Sequence, residues 1–235
     1  MELLFQNQAV LKDVVLMEPQ AKRYIAFFDL DRTLLSINSG SVLVREAYKR
    51  GLISTSDLVN AIYLSFLYKF QLRDTALIVA GMGRWLKGVT VEEMNVLSEH
   101  IVNKHLIDAI RPEIFSEIKF HRQNNAEIVI LSSAIIQICK PLGSYIGADN
   151  IICTVMDIAD GVFKGSAENK FCLEDEKRIR LMEYCEMRSY NLSEAFYYGD
   201  SISDLLALEV VGHPVCVKPD RKLSRIAHKN GWRVI

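Results

Sequence analysis

Residues 24–33 read YIAFFDLDRT, and the junction inside that stretch frames the rest of the chain. Tyr24 to Phe28 is apolar on both faces, as expected of a strand covered by helices on either side. It runs without a gap into Asp29, Asp31 and Thr33. Side chains two residues apart in extended chain project the same way, so Asp29 and Asp31 leave the strand's C-terminal end together. In open α/β sheets that edge is where ligands bind. Two neighbouring carboxylates repel each other, and a bound hard cation removes the cost. One could act as a nucleophile while the other exchanges a proton. An acidic strand end capping the next helix reads the same way, and the pair alone does not decide between the two.

Outward from this junction the same pattern recurs. Glu127–Leu131, Ile151–Val155 and Ala195–Tyr198 are strand-length apolar runs, with helical patterns at 113–124, 134–145, 174–188 and 203–210 between them. Strands alternating with helices predict an α/β fold with a Rossmann-like, doubly wound, mostly parallel sheet. Asp160-Gly161 predicts a tight hairpin turn. Residues 36–112 differ, with helical stretches at 39–50, 56–70, 73–86 and 91–105, no strand pattern, and Pro112 closing the segment. The expected organisation is an N-terminal extension over 1–22, an α/β core from 23–35 and 113–235, and an inserted helical cap over 36–112.

Three later clusters carry chemistry. Gly199-Asp200-Ser201-Ile202-Ser203-Asp204 follows an apolar strand; Gly199 suits a sharp turn, and Asp200 and Asp204 share a face if a helix starts between them. A helix N-cap explains the cluster equally well, yet a second carboxylate pair is what an oxygen-ligand metal site needs. Ser132 and Ser133 end the run IVIL, either as phosphoryl-binding hydroxyls and N–H groups or as a helix cap. Lys177 lies in EDEKRIR, and nothing local separates it from Arg178 or Arg180.

Together these pieces resemble the haloacid dehalogenase (HAD) superfamily from about residue 24 onward. DLDRT is similar to its D-x-D-x-T loop, LSS to its serine motif, CLEDEK to its lysine motif and GDSISD to its acidic fourth motif, in the same order. The tail GHPVCVKPDRKLSRIAHKNGW and the helical insert after the first motif resemble subfamily IB, the phosphoserine phosphatase-like branch with a helical C1 cap. The resemblance implies a Mg²⁺-dependent phosphatase acting on a phosphate monoester, a small metabolite or a lipid phosphate. Asp29 would be the nucleophile that becomes phosphorylated, and Asp31 would protonate the leaving oxygen and then activate water. Ser132, Ser133 and Lys177 would bind the phosphoryl group. Asp29, Asp200 and the Asp31 carbonyl would ligate the metal, with Asp204 orienting that shell. Three positions depart from the branch: Arg32 stands where glycine is frequent, Ser133-Ala134 where two glycines are favoured, and Asn38 near where phosphoserine phosphatases place a glutamate for the substrate ammonium. A neutral Asn38 argues against phosphoserine.

Composition narrows the alternatives. The 235 residues carry a net charge of −1 without a basic run, which predicts no nucleic-acid partner. Five scattered cysteines without C-x-x-C spacing fit a reducing cytoplasm. The N-terminus lacks the pattern of a signal peptide, and no apolar stretch is long enough to span a bilayer. No phosphate-binding loop of the G-x-x-x-x-G-K-[ST] type occurs, and His100 and His105, five apart, miss the spacing of a metal pair on a regular helix. The apolar stretch 58–68 predicts cap core or a homodimer contact. A sharper reading is a greasy surface for lipid, with Lys69, Arg73, Arg84 and Lys87 nearby. Two alternatives to a phosphatase remain, a non-catalytic phospho-aspartate switch or binding module and a dehalogenase. Asp31 argues against the first, since a switch needs no proton donor; a dehalogenase needs neither the second aspartate nor a metal, so loss of activity in EDTA would exclude the second.

Overall fold

The computed structural model describes residues 22–69, 78, 81 and 83–235. The apolar run after Arg23 forms strand β1 (Tyr24–Phe28). In chain order it is followed by β2 (Ala126–Ile135), β3 (Asn150–Thr154), β4 (Met156–Ala159), β5 (Val162–Ala167), β6 (Phe196–Gly199), β7 (His213–Cys216) and β8 (Arg233–Val234). Six of these form one sheet in the order β3-β2-β1-β6-β7-β8. Every pairing in it is parallel. Counted within the sheet alone, the order is that of a doubly wound dinucleotide-fold sheet, whose crossovers reverse direction beside the first strand. β1 is buried on both faces: Ala26 and Phe28 join one apolar cluster, Ile25 and Phe27 the other. The expected α/β architecture is what the chain adopts.

The α-helices whose full span is described are α1 (Ser39–Lys49), α2 (Thr55–Lys69), α3 (Val91–Ile101), α4 (Pro112–Gln123), α5 (Ile136–Ile146), α6 (Asp175–Met187), α7 (Leu205–Val210) and α8 (Arg221–Asn230). Among the described residues, 36–111 are helical or irregular, with isolated bridges at Leu35–Ile110 and Thr90–Val162. The chain enters and leaves this segment side by side, since Ser36 N–H donates to the Ala109 carbonyl at 2.8 Å and Arg111 N–H to that of Leu34 at 2.9 Å. The segment also shares its core with the sheet: Leu86, Met94, Leu97 and Leu106 belong to the same apolar cluster as Phe28 and Ile130.

Several local expectations change. β2 does not end at Leu131 but runs to Ile135 through a register shift, so Ser132 and Ser133 lie at an irregularity inside a strand. The tail holds β7, α8 and β8, which the four-residue runs and charged helix face kept below the threshold of a strand or helix pattern. The five-residue spacing of His100 and His105 does not separate them: a π turn over Val102–Leu106 brings the rings to 6.5 Å. The stretch 58–68 is not wholly buried, because Ala61 and Leu67 face inward while Val59, Ile62, Tyr63 and Phe66 are more than half exposed. Residues 1–21, Arg73 and most of the expected helix 73–86 lie outside the described residues. Among the described residues no helix is long and apolar enough to cross a membrane. All five cysteines are free and buried.

Candidate active site

β1 and β6 are neighbours, with Phe28 level with Tyr198, so the loops leaving their C-terminal ends meet at the point where the crossovers diverge. Asp29 continues β1, its N–H bonded to the Tyr198 carbonyl at 3.0 Å, and Asp200 continues β6. After Asp29 the chain makes a single wide turn over Leu30–Leu34. Arg32 takes φ 61° there, a left-handed conformation that costs a residue bearing a Cβ roughly 1–2 kcal/mol and that glycine adopts freely.

Lys177 is the centre of the charge arrangement. It lies in the first turn of α6, where the helix dipole disfavours a cation, and it is 3 % exposed. Its Nζ donates to Asp29 Oδ1 at 2.6 Å, to Asp204 Oδ1 at 2.7 Å and to the Tyr197 hydroxyl at 3.3 Å, so all three ammonium hydrogens are committed. Arg178 instead pairs with Asp175, and Arg180 bonds Glu176 and the carbonyls of Cys153 and Lys170. The structure thereby separates three cations that the sequence pattern left equivalent.

Asp204 is saturated. Oδ1 accepts from Lys177 and from Tyr197 Oη at 2.8 Å, and Oδ2 accepts the N–H groups of Asp200 and Ser201, both at 3.2 Å. Its carboxylate folds back over Gly199. A Cβ at that residue would lie 2.8 Å from Asp204 Cβ and 2.9 Å from Cγ. Gly199 is therefore required for close approach rather than for a left-handed φ. Asp220 supports the same loop from below, accepting from Ile202 N–H at 2.9 Å while capping α8 through Lys222 and Leu223.

One carboxylate oxygen from each of Asp29, Asp200 and Asp204 lies within 4.8 Å of the others. Burial raises Asp29 to about 7 against the pull of Lys177, and raises Asp200 to about 8 with Asp204 and Asp29 adding to it. Burial also raises Asp31, opposed by the Ser39 N–H. Asp204 stands below the ordinary carboxylate range because Lys177, Tyr197 and backbone donors outweigh its burial. Lys177 is held well above its usual value by Asp204 and Asp29 despite burial. Four acids thus face one lysine, and oxygen donors short of positive charge fit a hard divalent cation. With Asp204 saturated, Asp29 and Asp200 are the side chains able to ligate it.

Ser132 is fully buried at the β2 irregularity, and its Oγ accepts from Ala134 N–H at 3.2 Å, leaving its own hydrogen to donate. Sequence reasoning missed Tyr197, Asp220 and the hydroxyl of Thr33. A tyrosine inside a core strand signals a buried partner for its hydroxyl, and that was the available clue. Thr33 Oγ1 is buried without a hydrogen-bond partner among the described residues.

A family model for the haloacid dehalogenase-like hydrolases matches residues 26–209. The chain is 30 % identical to the inhibition of morphological differentiation protein of Streptomyces azureus, over 91 % of this chain and 78 % of that one. It is 28 % identical to a histidinol-phosphatase of Neisseria meningitidis, over 90 % and 97 % of the two chains. A solved phosphoserine phosphatase, described as a phospho-aspartyl intermediate analogue, superposes with a TM-score of 0.68 at 16 % identity, over 91 % and 92 %; that likeness is one of fold.

Two expectations follow from the geometry. Gly199→Ala, which drives a methyl group into Asp204, lowers the unfolding free energy by about 1–3 kcal/mol; a wild-type denaturation midpoint would show that Asp204 can yield. The second concerns pH. Above the ordinary carboxylate value of 3.8 and below about 8, the folded protein keeps on Asp200 a proton the unfolded chain has lost, so stability falls as pH rises through that window. His121, lowered by burial from 6.5 to about 4, acts oppositely below 6.5. Between pH 6.5 and 8 the metal-free protein should therefore lose thermal stability, with Asp29 contributing up to about 7 and Asp200 up to about 8, and Asp200→Asn should flatten the decline above pH 7. Parallel curves for the two proteins would contradict the assignment.

Proposed function

Because the chain belongs to the haloacid dehalogenase-like hydrolase family, we propose that it hydrolyses a phosphate monoester through an aspartyl-phosphate on Asp29, with residues 36–112 as a helical cap over the site. The observation that carries this reading is the buried Lys177 bridge between Asp29 and Asp204, with Asp31 two residues beyond the nucleophile. The similarity to a histidinol-phosphatase along nearly its whole length supports it.

In the proposed reaction Asp29 attacks phosphorus, forming an Oδ–P bond as the P–O bond to the leaving group breaks. Asp31 delivers its proton to the departing oxygen. Asp31 then takes a proton from water, whose oxygen attacks phosphorus; the Oδ–P bond breaks, and inorganic phosphate and free Asp29 result. Lys177 holds one oxygen of Asp29 and offsets its charge, which lets an anionic nucleophile meet an anionic ester. Ser132 offers its hydroxyl hydrogen to a phosphoryl oxygen, with Ser133 beside it at the β2 irregularity. Since the lysine's three hydrogens are already used, its contribution is to Asp29 first and to the phosphoryl group only by charge. Mg²⁺ would be held by Asp29, Asp200 and the Asp31 carbonyl, and would supply the positive charge that these oxygens and a phosphate lack. Asp204 keeps the Asp200 loop and Lys177 in place.

The substrate class follows from charge. Asn38 is neutral, so this position supplies no carboxylate for a substrate ammonium, and phosphoserine should hold no advantage over an uncharged alkyl phosphate. The substrate is a phosphorylated small molecule, metabolite or lipid phosphate. A soluble, cytoplasmic protein fits this reading.

With p-nitrophenyl phosphate and magnesium, wild-type protein should turn over, EDTA should abolish turnover and added magnesium restore it. Asp29→Asn should have no measurable turnover while keeping the wild-type circular dichroism spectrum. Full activity in that variant would defeat the nucleophile assignment, and full activity in EDTA would defeat the metal.

A further inference from the structure

Asp31 does not stand free at the site; it is held by the first turn of α1. Ser39 N–H donates to Asp31 Oδ1 at 2.7 Å, and Asn38 Nδ2 donates to Oδ2 at 3.1 Å. The other end of the Asn38 amide is also occupied, since Oδ1 accepts from Ser41 N–H at 2.8 Å and from Ser41 Oγ at 2.9 Å. Asn38 is thus the N-cap of α1 and a donor to the carboxyl at once. The backbone N–H of Ser41 can only donate, so it fixes the amide with oxygen toward the helix and nitrogen toward Asp31. An acid at this position could cap the helix equally well, but its second oxygen would repel Asp31. A serine could cap it too, but its short side chain would fall away from Asp31 Oδ2. Among good capping residues, asparagine is the one that caps and donates together.

We propose that Asn38 is a positioning residue for Asp31, aiming its carboxyl at the leaving group and tying that aim to the start of the helical segment. The inference rests on Asp31 being the acid–base group of the phosphatase reading above. A positioned acid contributes about 10²–10⁴-fold, chiefly for leaving groups that need a proton. Misaiming Asp31 should therefore penalise poor leaving groups and spare good ones. Damage to the fold or to substrate binding would affect all of them alike.

The test compares wild type, Asn38→Ser and Asn38→Ala on phenyl phosphate, p-nitrophenyl phosphate and 2,4-dinitrophenyl phosphate. Asn38→Ser keeps a capping oxygen and removes the donor; Asn38→Ala removes both. Both variants should lose roughly 10- to 100-fold in kcat/KM on phenyl phosphate, part of what a positioned acid supplies, and change little on 2,4-dinitrophenyl phosphate. Asn38→Ser should also keep the wild-type melting temperature. Equal losses across the three esters, or none, would overturn the proposal. A crystal structure of Asn38→Ser is a second test that needs no turnover. The Asp31 carboxyl should rotate about its remaining bond to Ser39, and an unchanged orientation would overturn the idea. If wild type hydrolyses none of these esters, the phosphatase reading fails on its own, and the variant structure still decides whether Asn38 orients Asp31.

Discussion

A lysine ammonium buried between two carboxylates is the constraint on which the rest of the site depends. Lys177 is almost wholly buried, and each of its hydrogens ends on Asp29, Asp204 or Tyr197. Removing one partner of such an arrangement leaves a charge stranded in low dielectric, which costs far more than a surface pair would. The arrangement therefore demands that β1, β6 and the first turn of α6 be placed together, and it pairs Asp29 directly while Lys177 and Arg32 reach Asp200 only at a distance, too weakly to offset its burial. The same three elements that stabilise the lysine create the local deficit of positive charge. Stability and chemistry are set by one cluster rather than by separate parts of the molecule.

Parallel pairing explains how residues so far apart in the chain converge. Because every strand of the sheet runs the same way, all of their C-terminal loops emerge on one edge. The order β3-β2-β1-β6-β7-β8 makes β1 the neighbour of both β2 and β6. Asp29 thus lies beside the Ser132 irregularity on one side and Asp200 on the other. Gly199 permits Asp204 to turn back across the end of β6, which a regular strand-to-helix junction would not allow.

What the sequence made legible follows from how each signal is encoded. The sheet was readable because strands buried on both faces are continuous apolar runs, and the acidic loop after β1 because Asp29 and Asp31 obey the two-residue period. Lys177 was readable only by resemblance, since choosing it over Arg178 required knowing which face of α6 turns inward. β7 and β8 were missed because HPVC and RV are too short to show a period, and their pairing is set by neighbours rather than by propensity. Ser132 was placed after a strand when it lies within one, since a register shift leaves no compositional trace. The His100–His105 contact was missed for a related reason: the spacing rule assumed an α-helix, and a π turn changes the period.

Both halves of the helical segment pack into the core, through Val42, Leu43 and Ala47 of α1 and through Met94 and Leu97 of α3, but they differ in their polar anchors. Its exit half is stapled to the body of the protein. Gly88 N–H bonds the Phe163 carbonyl, Phe163 N–H that of Val89, and Val91 N–H that of Gly161, so residues 88–91 continue the β4–β5 hairpin. α3 then packs into the core shared with Phe28 and Ile130. The entry half is held differently, because the start of α1 bonds the Asp31 carboxyl itself. Displacing α3 would break backbone bonds and open an apolar core, a cost spread over many contacts. Displacing α1 would open the same core at Val42, Leu43 and Ala47 and would also strip two donors from a single carboxyl. The residue that contacts the start of α1 is thus Asp31, the one proposed above to protonate the leaving oxygen.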